Sequence, residues 1–73
     1  MENHDDKRAL MKLGLRLKEA REKLGLTQEQ VAQKARVSTN YYAVVERGEG
    51  NLTFLKLNRI IRVLRKVDLA DLF

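Results

Sequence analysis

The sequence predicts an all-α fold, and three observations on its 73 residues support that fold class. Proline is absent, and the strong helix formers Leu, Lys, Glu, Arg and Ala are abundant. Apolar residues recur at steps of three and four along most of the chain, as they do on one face of a helix. No segment alternates apolar and polar residues for long enough to predict a strand. We therefore expect a compact domain of five helices.

Helix 1 is expected to run from Lys7 to Leu24, where Gly25 follows as a left-handed terminator. Its apolar stripe is formed by Leu10, Leu13, Leu17, Ala20 and Leu24. Residues 1–6 contain three of the ten acidic residues and are expected to form a flexible acidic tail. The predicted domain therefore covers residues 7–73.

Helices 2 and 3 are both marked by capping residues. Thr27 and Gln30 have the spacing of a capping box, so helix 2 is expected to begin at Thr27 and to end near Ala35. After a three-residue turn, Ser38 is a good N-cap for helix 3, and Gly48 is expected to end that helix. The inward side of helix 3 is expected to comprise Tyr41, Tyr42 and Val45.

Two further helices are expected in the last third of the sequence. Thr53 can cap helix 4, which is expected to stop near Arg65, and Asp68 can cap a last short helix. The apolar residues of helix 4 at helical spacing are Phe54, Leu57, Ile60, Ile61 and Leu64. A mostly solvated basic face is expected to comprise Arg59, Arg62, Arg65 and Lys66.

The net charge of +5 and the acidic first residues leave the rest of the chain strongly basic. Such an excess suits a polyanionic partner, because cationic side chains that neutralise phosphates release counterions. Composition alone leaves nucleic acids and membrane surfaces open as partners. The chain has no cysteine, which excludes disulfides and thiolate metal sites, and its single histidine lies in the predicted tail. No metal and no cofactor are predicted.

Residues 26–48 have the pattern of two helices joined by a tight turn. The small residues Ala32 and Ala35 let helix 2 lie close to a neighbour, and Val37 supplies an apolar plug inside the turn. Packing of this kind projects the first turn of helix 3 outwards, which is how a helix-turn-helix enters the major groove of DNA.

The run from Gly25 to Phe54 resembles the phage repressor and Cro (XRE-type) helix-turn-helix family. The matching features are Gly-Leu-Thr-Gln before helix 2, the Val-Ala pair within it, Val37-Ser38 in the turn, Tyr41, and Glu46-Arg47-Gly48. Together with the apolar positions of helix 4, the resemblance extends over residues 13–73. It implies a lambda-repressor-like fold of five helices, and members usually bind double-stranded DNA operators as dimers.

The resemblance implies that Thr39, Asn40 and Val44 face the edges of bases. Helical geometry agrees, because these positions share a face opposite Tyr41 and Val45. Asn40 can form a bidentate pair with adenine, Thr39 can contact a base edge, and Val44 offers only an apolar contact, for example to a thymine methyl. Helix capping is the alternative for Thr39 and Asn40, and packing is the alternative for Val44.

Phosphate contacts are expected on both sides of helix 3. Gln28, at the start of helix 2, can offer a phosphate its side chain and its backbone amide together. A role limited to the capping region is the alternative for Gln28. Solvated surface positions are the alternative for the other expected phosphate-binding residues, which are Ser38, Arg47, Asn51, Thr53 and Lys56.

Arg21 and Glu46 are charged residues on faces that are otherwise apolar. By the resemblance, they form a partly buried ion pair that ties helix 1 to helix 3, and we interpret their role as structural. Acid–base catalysis would need a pocket and a second reacting group, and the sequence indicates neither. With no nucleophile–base pair and no Gly-rich phosphate loop, the chain is not predicted to be an enzyme.

Two residues depart from the family pattern, and each leads to a separate prediction. Arg36 occupies a turn position where members usually have glycine, and a left-handed backbone there costs a side chain about 1 kcal/mol. Leu55 is apolar where members tend to be polar. A homodimer interface is expected at Leu55, Leu69, Leu72 and Phe73, for which closure of the monomer core is the alternative.

These observations predict a sequence-specific transcription regulator, a repressor that binds a palindromic operator as a homodimer. A phage regulator, a restriction-modification controller and an antitoxin stay open, as does a protein partner such as a toxin. The competing interpretation is a protein-interaction module that uses this fold without reading DNA, but positions 39, 40 and 44 lack the acidic residues that would favour it. With no long apolar segment and no signal-peptide pattern, we expect a cytoplasmic, nucleoid-associated protein without membrane contact.

Overall fold

The computed structural model describes the backbone of residues 4–72 and the side chains of residues 5–65. Over that range the chain contains helices and turns and no strand, which confirms the all-α prediction. Four helices are present there, one fewer than predicted. Their bounds are α1 His4–Lys23, α2 Gln28–Ala35, α3 Thr39–Glu46 and α4 Phe54–Leu72. Within the same range, no helix is both long enough and apolar enough to cross a bilayer.

The first helix, α1, begins at His4, three residues before the predicted start at Lys7. Its first turn contains Asp5 and Asp6, and carboxylates there favour helix formation because the N-terminal end of a helix carries partial positive charge. After the end of α1, Gly25 has a left-handed φ of 72°. The predicted terminator of the first helix is therefore confirmed, whereas the predicted start is wrong.

The starts of α2 and α3 are fixed by the predicted caps. Thr27 Oγ1 accepts a hydrogen bond from Gln30 N at 3.0 Å, and Gln30 Oε1 accepts one from Thr27 N at 2.8 Å. Ser38 Oγ accepts a hydrogen bond from Tyr41 N at 2.9 Å. Each cap satisfies an amide that a helix start leaves without an intrahelical partner, so both predicted starts are confirmed.

The prediction that helix 4 stops near Arg65 and that Asp68 caps a fifth helix is wrong, because α4 is continuous. The intervening Lys66 and Val67 do not break a helix, and no glycine or proline follows Gly50. Extending an existing helix by a turn costs less than nucleating a new one, so the chain continues as α4. Three predicted interface residues lie outside the side chains that the structure describes: Leu69, Leu72 and Phe73.

The core lies where α2 packs against α3 and α4, and α1 closes it from the side. Tyr42, Ile60 and Val31 are its largest fully buried side chains. Ala32 and Ala35 are buried as well, so α2 approaches its neighbours closely, as the sequence predicts. Among the side chains of residues 5–65, the remaining buried apolar ones are Leu17, Val45 and Leu64. Because burying one large apolar side chain contributes about 1.5–3 kcal/mol, this cluster is the main source of stability.

The helices α1 and α3 touch backbone to backbone at Gly14. A Cβ at this position would lie 2.5 Å from the carbonyl oxygens of Val45 and Glu46. Because glycine has no Cβ, it allows this approach without displacing either helix. The contact holds the C-terminal end of α3 against α1 and therefore sets the direction in which α3 points.

Candidate nucleic-acid interface

The turn between α2 and α3 sets the angle of the helix pair. Its first residue, Arg36, has φ 61° and ψ 42°, and among the described residues it is the one non-glycine position with a left-handed backbone. The N–H of Arg36 donates to Gln33 O at 3.3 Å, and the N–H of Val37 donates to Ala32 O at 3.0 Å. Val37 is half-buried and packs against the core. The turn therefore closes the end of α2 and starts α3 in a new direction.

Arg59 of α4 braces the same turn. Its Nε donates to Ala35 O at 2.8 Å and its Nη2 donates to Arg36 O at 3.4 Å. These carbonyls lie at the C-terminal end of α2, where acceptors lack intrahelical partners and a cation is favoured. The interpretation of Arg59 as part of a solvated face is therefore wrong, because Arg59 is half-buried and caps α2. Arg62 and Arg65 are exposed, as predicted.

Thr39 and Asn40 are exposed in the first turn of α3. Ser38, rather than either of them, caps the helix, and neither side chain has a hydrogen-bond partner among the described residues. On the opposite side of α3, Tyr42 is fully buried and Val45 is 5% exposed. One face of α3 therefore offers a free hydroxyl and a free amide, while the other face anchors the helix.

Val44, the third predicted base-reading residue, is half-buried. A Cβ at Gly50 would come within 2.8 Å of Val44 Cγ1, so the loop after α3 lies against this side chain. Part of Val44 thus packs on the loop, which was the alternative interpretation. Val44 lies one turn after Asn40 on the same face of α3.

Two predicted phosphate-binding residues contact Tyr41: Asn51 of the loop after α3 and Lys56 of the first turn of α4. The Tyr41 hydroxyl donates to Asn51 O at 3.3 Å, and Lys56 Nζ lies 4.6 Å from the centre of the Tyr41 ring. Thr53 Oγ1 accepts a hydrogen bond from Lys56 N at 3.3 Å and so caps α4. The sequence predicts Tyr41 only as an inward residue of helix 3, and no local pattern signals this link to the loop.

Ser38 and Arg47 lie at opposite ends of α3, and both are exposed. The Ser38 oxygen accepts the capping hydrogen bond, while its hydroxyl hydrogen can still be donated outwards. Arg47 Nε lies 3.3 Å from Glu49 Oε1, and the two side chains are 56% and 62% exposed. Because an exposed pair of this kind contributes only about 0–1 kcal/mol, it leaves Arg47 available to an external anion.

A buried polar cluster joins α1 and the start of α2 to the end of α3. Arg21 Nε donates to Glu46 Oε2 at 2.7 Å, and Arg21 Nη2 donates to Glu46 Oε1 at 3.2 Å. Gln28 Nε2 donates to the same Oε1 at 2.9 Å, and Arg21 Nη1 donates to Leu26 O at 2.9 Å. The side chains of Arg21 and Glu46 are only 12% and 3% exposed. The two-point contact and the low exposure make this ion pair a rigid link between helices.

The cluster holds Glu46 in its charged form. Burial alone would raise the pKa of the Glu46 carboxyl, but the hydrogen bonds from Arg21 and Gln28, with the nearby Tyr42 hydroxyl, outweigh burial and hold that pKa below its ordinary value. The hydrogen bond to Glu46 raises the pKa of Arg21 against the effect of desolvation. Burial raises the pKa of Tyr42, and the Glu46 carboxylate raises it further. The Tyr42 hydroxyl makes no hydrogen bond of good geometry within the described residues.

Most of the chain matches a known protein family. The helix-turn-helix family model matches residues 17–72, which include α2, the turn and α3. The chain belongs to the XRE-type helix-turn-helix family. As a member of that family, it is a DNA-binding transcription regulator. No curated protein sequence matches the chain.

The predicted contact residues of this XRE-type protein fall into two groups. Asn51 and Lys56 contact Tyr41, which is next to the exposed Asn40 in α3. Gln28 lies instead beside Glu46 at the other end of α3, where one of its amide hydrogens is already donated. The two groups of candidate phosphate ligands therefore lie at opposite ends of the candidate reading helix. Leu55, the predicted interface residue that is described, is 67% exposed on α4.

Proposed function

We propose that this protein is a sequence-specific repressor that binds a palindromic operator in double-stranded DNA as a homodimer. The observation that carries the proposal is the exposure of Thr39 and Asn40 at the start of α3, on a helix anchored by the buried Tyr42 and Val45. In a helix-turn-helix, the helix that reads the major groove packs one face on the core and exposes polar side chains from its first turn. Helix α3 has this arrangement.

Asn40 is the main base-reading residue in this proposal. Its side-chain NH2 can donate to adenine N7 while its side-chain oxygen accepts from adenine N6–H, and no other base offers this acceptor and donor pair side by side in the major groove. Thr39 contacts a neighbouring base edge or a thymine methyl. Val44 adds an apolar contact, reduced by its packing near Gly50. A good bidentate pair discriminates against the wrong base by about 1–3 kcal/mol, so most specificity rests on Asn40.

Phosphate contacts flank the reading helix on both sides. Gln28 Nε2 donates one hydrogen to Glu46, and its second hydrogen and the backbone amides at the start of α2 serve a phosphate oxygen. On the other flank, the ammonium of Lys56 is held over the Tyr41 ring and serves a phosphate of the opposite strand. The remaining proposed phosphate ligands are Ser38, Arg47, Asn51 and Thr53. These contacts position the protein on the duplex but do not select a sequence.

The homodimer supplies the second reading helix. A twofold dimer matches a palindromic operator when its two copies of α3 lie about 34 Å apart, which is one turn of DNA. The 67% exposure of Leu55, a large apolar residue on α4, supports an interface that also includes Leu69, Leu72 and Phe73. A dimer bound across an operator excludes other proteins from that DNA, which is the basis of the proposed repression.

Selection of bound sites from random duplex DNA tests the proposal. We expect enrichment of a palindrome whose half-sites lie about one helical turn apart. With N40A, one base position in each half-site is expected to lose its preference, whereas Q28A is expected to weaken binding to all sequences alike. The matched control for Q28A is Q33A, which removes the same side chain from an exposed position outside α3 and outside the other predicted contact residues.

Three results would contradict the proposal. If no site is enriched from random DNA, binding is not sequence-specific. If the enriched sites lack twofold symmetry, the operator is not a palindrome. Equal losses on all sequences for both N40A and Q28A would show that Asn40 does not read a base. Placement of the operator upstream of a reporter, with expression measured with and without the protein, tests repression separately.

A further inference from the structure

An open groove of about 1160 Å³ lies between the C-terminal end of α1, the end of α2 and the middle of α4. Its volume exceeds the roughly 300–1,000 Å³ of pockets that hold drug-sized ligands, so a polypeptide segment matches it better in size. No residue of α3 lines the groove, which is therefore separate from the candidate reading surface. Its apolar floor is formed by the half-buried residues Leu24, Leu26, Ile61 and Val63.

The rim of the groove is strongly basic. Five of its ten lining residues are Lys or Arg and none is acidic, within the part of the chain that the structure describes. Arg59 uses its guanidinium to cap α2. The other four are exposed and have no ion-pair partner among the described residues: Lys34, Arg36, Arg62 and Arg65. An occupant that matches both floor and rim combines apolar side chains with negative charge.

The segment KVDLADLF, residues 66–73, combines apolar side chains with two aspartates and one lysine, a net side-chain charge of −1. Asp68 and Asp71 are the only acidic residues after Glu49, and the apolar residues around them are Val67, Leu69, Leu72 and Phe73. We propose that the groove binds residues 66–73 of a second copy of this chain. The proposal rests on the homodimer of the proposed function and names the surface through which that dimer forms.

The backbone of α4 does not turn back over the groove of its own chain. The groove is lined by α4 from Asn58 to Arg65, and α4 is continuous to Leu72. A helix rises about 1.5 Å per residue, so position 69 lies about 6 Å beyond Arg65 along the same axis. Residues that continue this helix therefore extend away from the ends of α1 and α2, which form the other side of the groove. A second copy has no such limit, and a twofold axis lets each copy give one segment and receive another.

The apolar floor favours a polypeptide over a phosphate backbone. A basic rim alone would suit either, but a sugar-phosphate chain has no aliphatic side chains to bury against Leu24 or Ile61. Removal of apolar surface from water contributes about 25 cal/mol per Å², a gain that leucine and phenylalanine side chains can use. Leu55 lies two turns before Arg62 on the same side of α4 and is 67% exposed, so it extends the apolar surface beyond the groove.

Charge exchange between groove and segment tests the proposal by sedimentation of the full chain at low salt, without DNA. The variant R62E/R65E makes the rim acidic, and the variant D68K/D71K makes the segment basic. Each variant alone brings like charges together, so we expect its dimer dissociation constant to rise at least about tenfold. A mixture of the two variants restores opposite charges in both grooves, so we expect heterodimers close in affinity to the unmodified dimer.

Two further variants serve as controls. R16E/K18E makes the same change of charge on an exposed part of α1 outside the groove and is expected to leave association unchanged. The quadruple variant R62E/R65E/D68K/D71K is expected to form homodimers again, which keeps the test decisive when one double variant fails to fold. Circular dichroism of each variant checks that its helices are retained.

The outcomes separate this proposal from the proposed function. Normal dimers of R62E/R65E, or a mixture that does not associate, would overturn the groove as the interface and leave the homodimer standing. An unmodified chain that stays monomeric would overturn both. R62E/R65E that dimerises normally but loses DNA affinity would make the groove a phosphate-binding surface and would also overturn the proposal.

Discussion

At its C-terminal end, α3 places Glu46 in a buried cluster where Arg21 and Gln28 use both carboxylate oxygens. At its N-terminal end, the same helix exposes Thr39 and Asn40 without hydrogen-bond partners among the described residues. The helix has eight residues, so the two environments are only about 10 Å apart along its axis. At the C-terminal end, hydrogen bonds within the protein occupy both carboxylate oxygens of Glu46. At the N-terminal end, the polar groups of Thr39 and Asn40 have no such partner among the described residues.

The difference separates the groups that hold α3 from the groups that α3 presents. A buried polar group costs free energy when it loses its partner, so a saturated cluster specifies one geometry. Exposed polar groups are solvated in the free protein and exchange water for a partner only on binding. Substitutions at the two ends are therefore expected to divide into losses of stability and losses of recognition.

The largest effect is expected from Glu46→Ala, because it leaves the Arg21 guanidinium buried without its partner. We expect a loss of about 3 kcal/mol in the free energy of unfolding. For a domain of this size, that loss lowers Tm by roughly 12–24 °C in thermal melts followed by circular dichroism. The matched control is Glu49→Ala, which removes the exposed partner of Arg47 and is expected to change stability by less than about 1 kcal/mol. An unchanged Tm for Glu46→Ala would refute the structural role of the pair.

Acid is expected to weaken the same end of α3 through Glu46. The pKa of the folded carboxyl is below its ordinary value of 4.5, so the contribution of Glu46 is complete above 4.5 and is lost as pH falls through the lower folded value. Glu46→Gln cannot titrate, so its stability is expected to fall less over this range. Urea midpoints of both proteins between about pH 7 and about pH 3 measure the difference. Parallel curves for the two proteins would contradict the lowered pKa.

A smaller effect of opposite sign is expected at the turn that leads into the exposed end of α3. Arg36 has φ 61°, where a Cβ is strained, so Arg36→Gly is expected to stabilise the protein by about 1 kcal/mol. Arg36→Ala is the matched control, because it removes the charge but keeps the Cβ and should bring no such gain. Melts of the free proteins measure both. A glycine variant less stable than the alanine variant would be incompatible with backbone strain at this position.

The smallest effect is expected at Tyr41, which links the presented end of α3 to the following loop. Tyr41→Phe removes the hydrogen bond to Asn51 O but keeps the ring beneath Lys56, so the expected loss of stability is about 0.5 kcal/mol. Lys56→Met keeps the hydroxyl and is expected to lower the salt dependence of DNA binding by about one phosphate contact. DNA titrations at several salt concentrations compare the two variants. A salt slope that falls equally in both would place the effect in the loop rather than in Lys56.

The features that sequence predicts well are those set by neighbouring residues. The caps at Thr27 and Ser38 each involve an amide three positions away, so their spacing is visible in the chain itself. The predicted end of helix 4 is wrong, because Asp68 is a good N-cap only if the chain bends before it, and Lys66 and Val67 do not require a bend. Capping chemistry thus permits a boundary without enforcing one.

The candidate site could be predicted from the sequence only in part, because some of its contacts join residues that are far apart in the chain. The hydrogen bond from Arg59 to Ala35 joins positions 24 apart, and that from Gln28 to Glu46 joins positions 18 apart. No periodicity or cap encodes such contacts, so the sequence predicts Arg59 as solvated and Gln28 as a phosphate ligand or a residue of the capping region. The exposure of Thr39 and Asn40 could be predicted, because it follows from the amphipathic spacing of one short helix.

The main-chain contact at Gly14 has a consequence for how such a protein can change its target. The pose of α3 depends on backbone atoms of Val45 and Glu46, not on the side chains that α3 exposes. Exchanges at the outward positions of that helix should therefore alter stability by no more than about 0.5 kcal/mol. Substitutions at the exposed positions of α3 can then change the preferred operator while the fold stays the same, provided that residue 14 remains glycine.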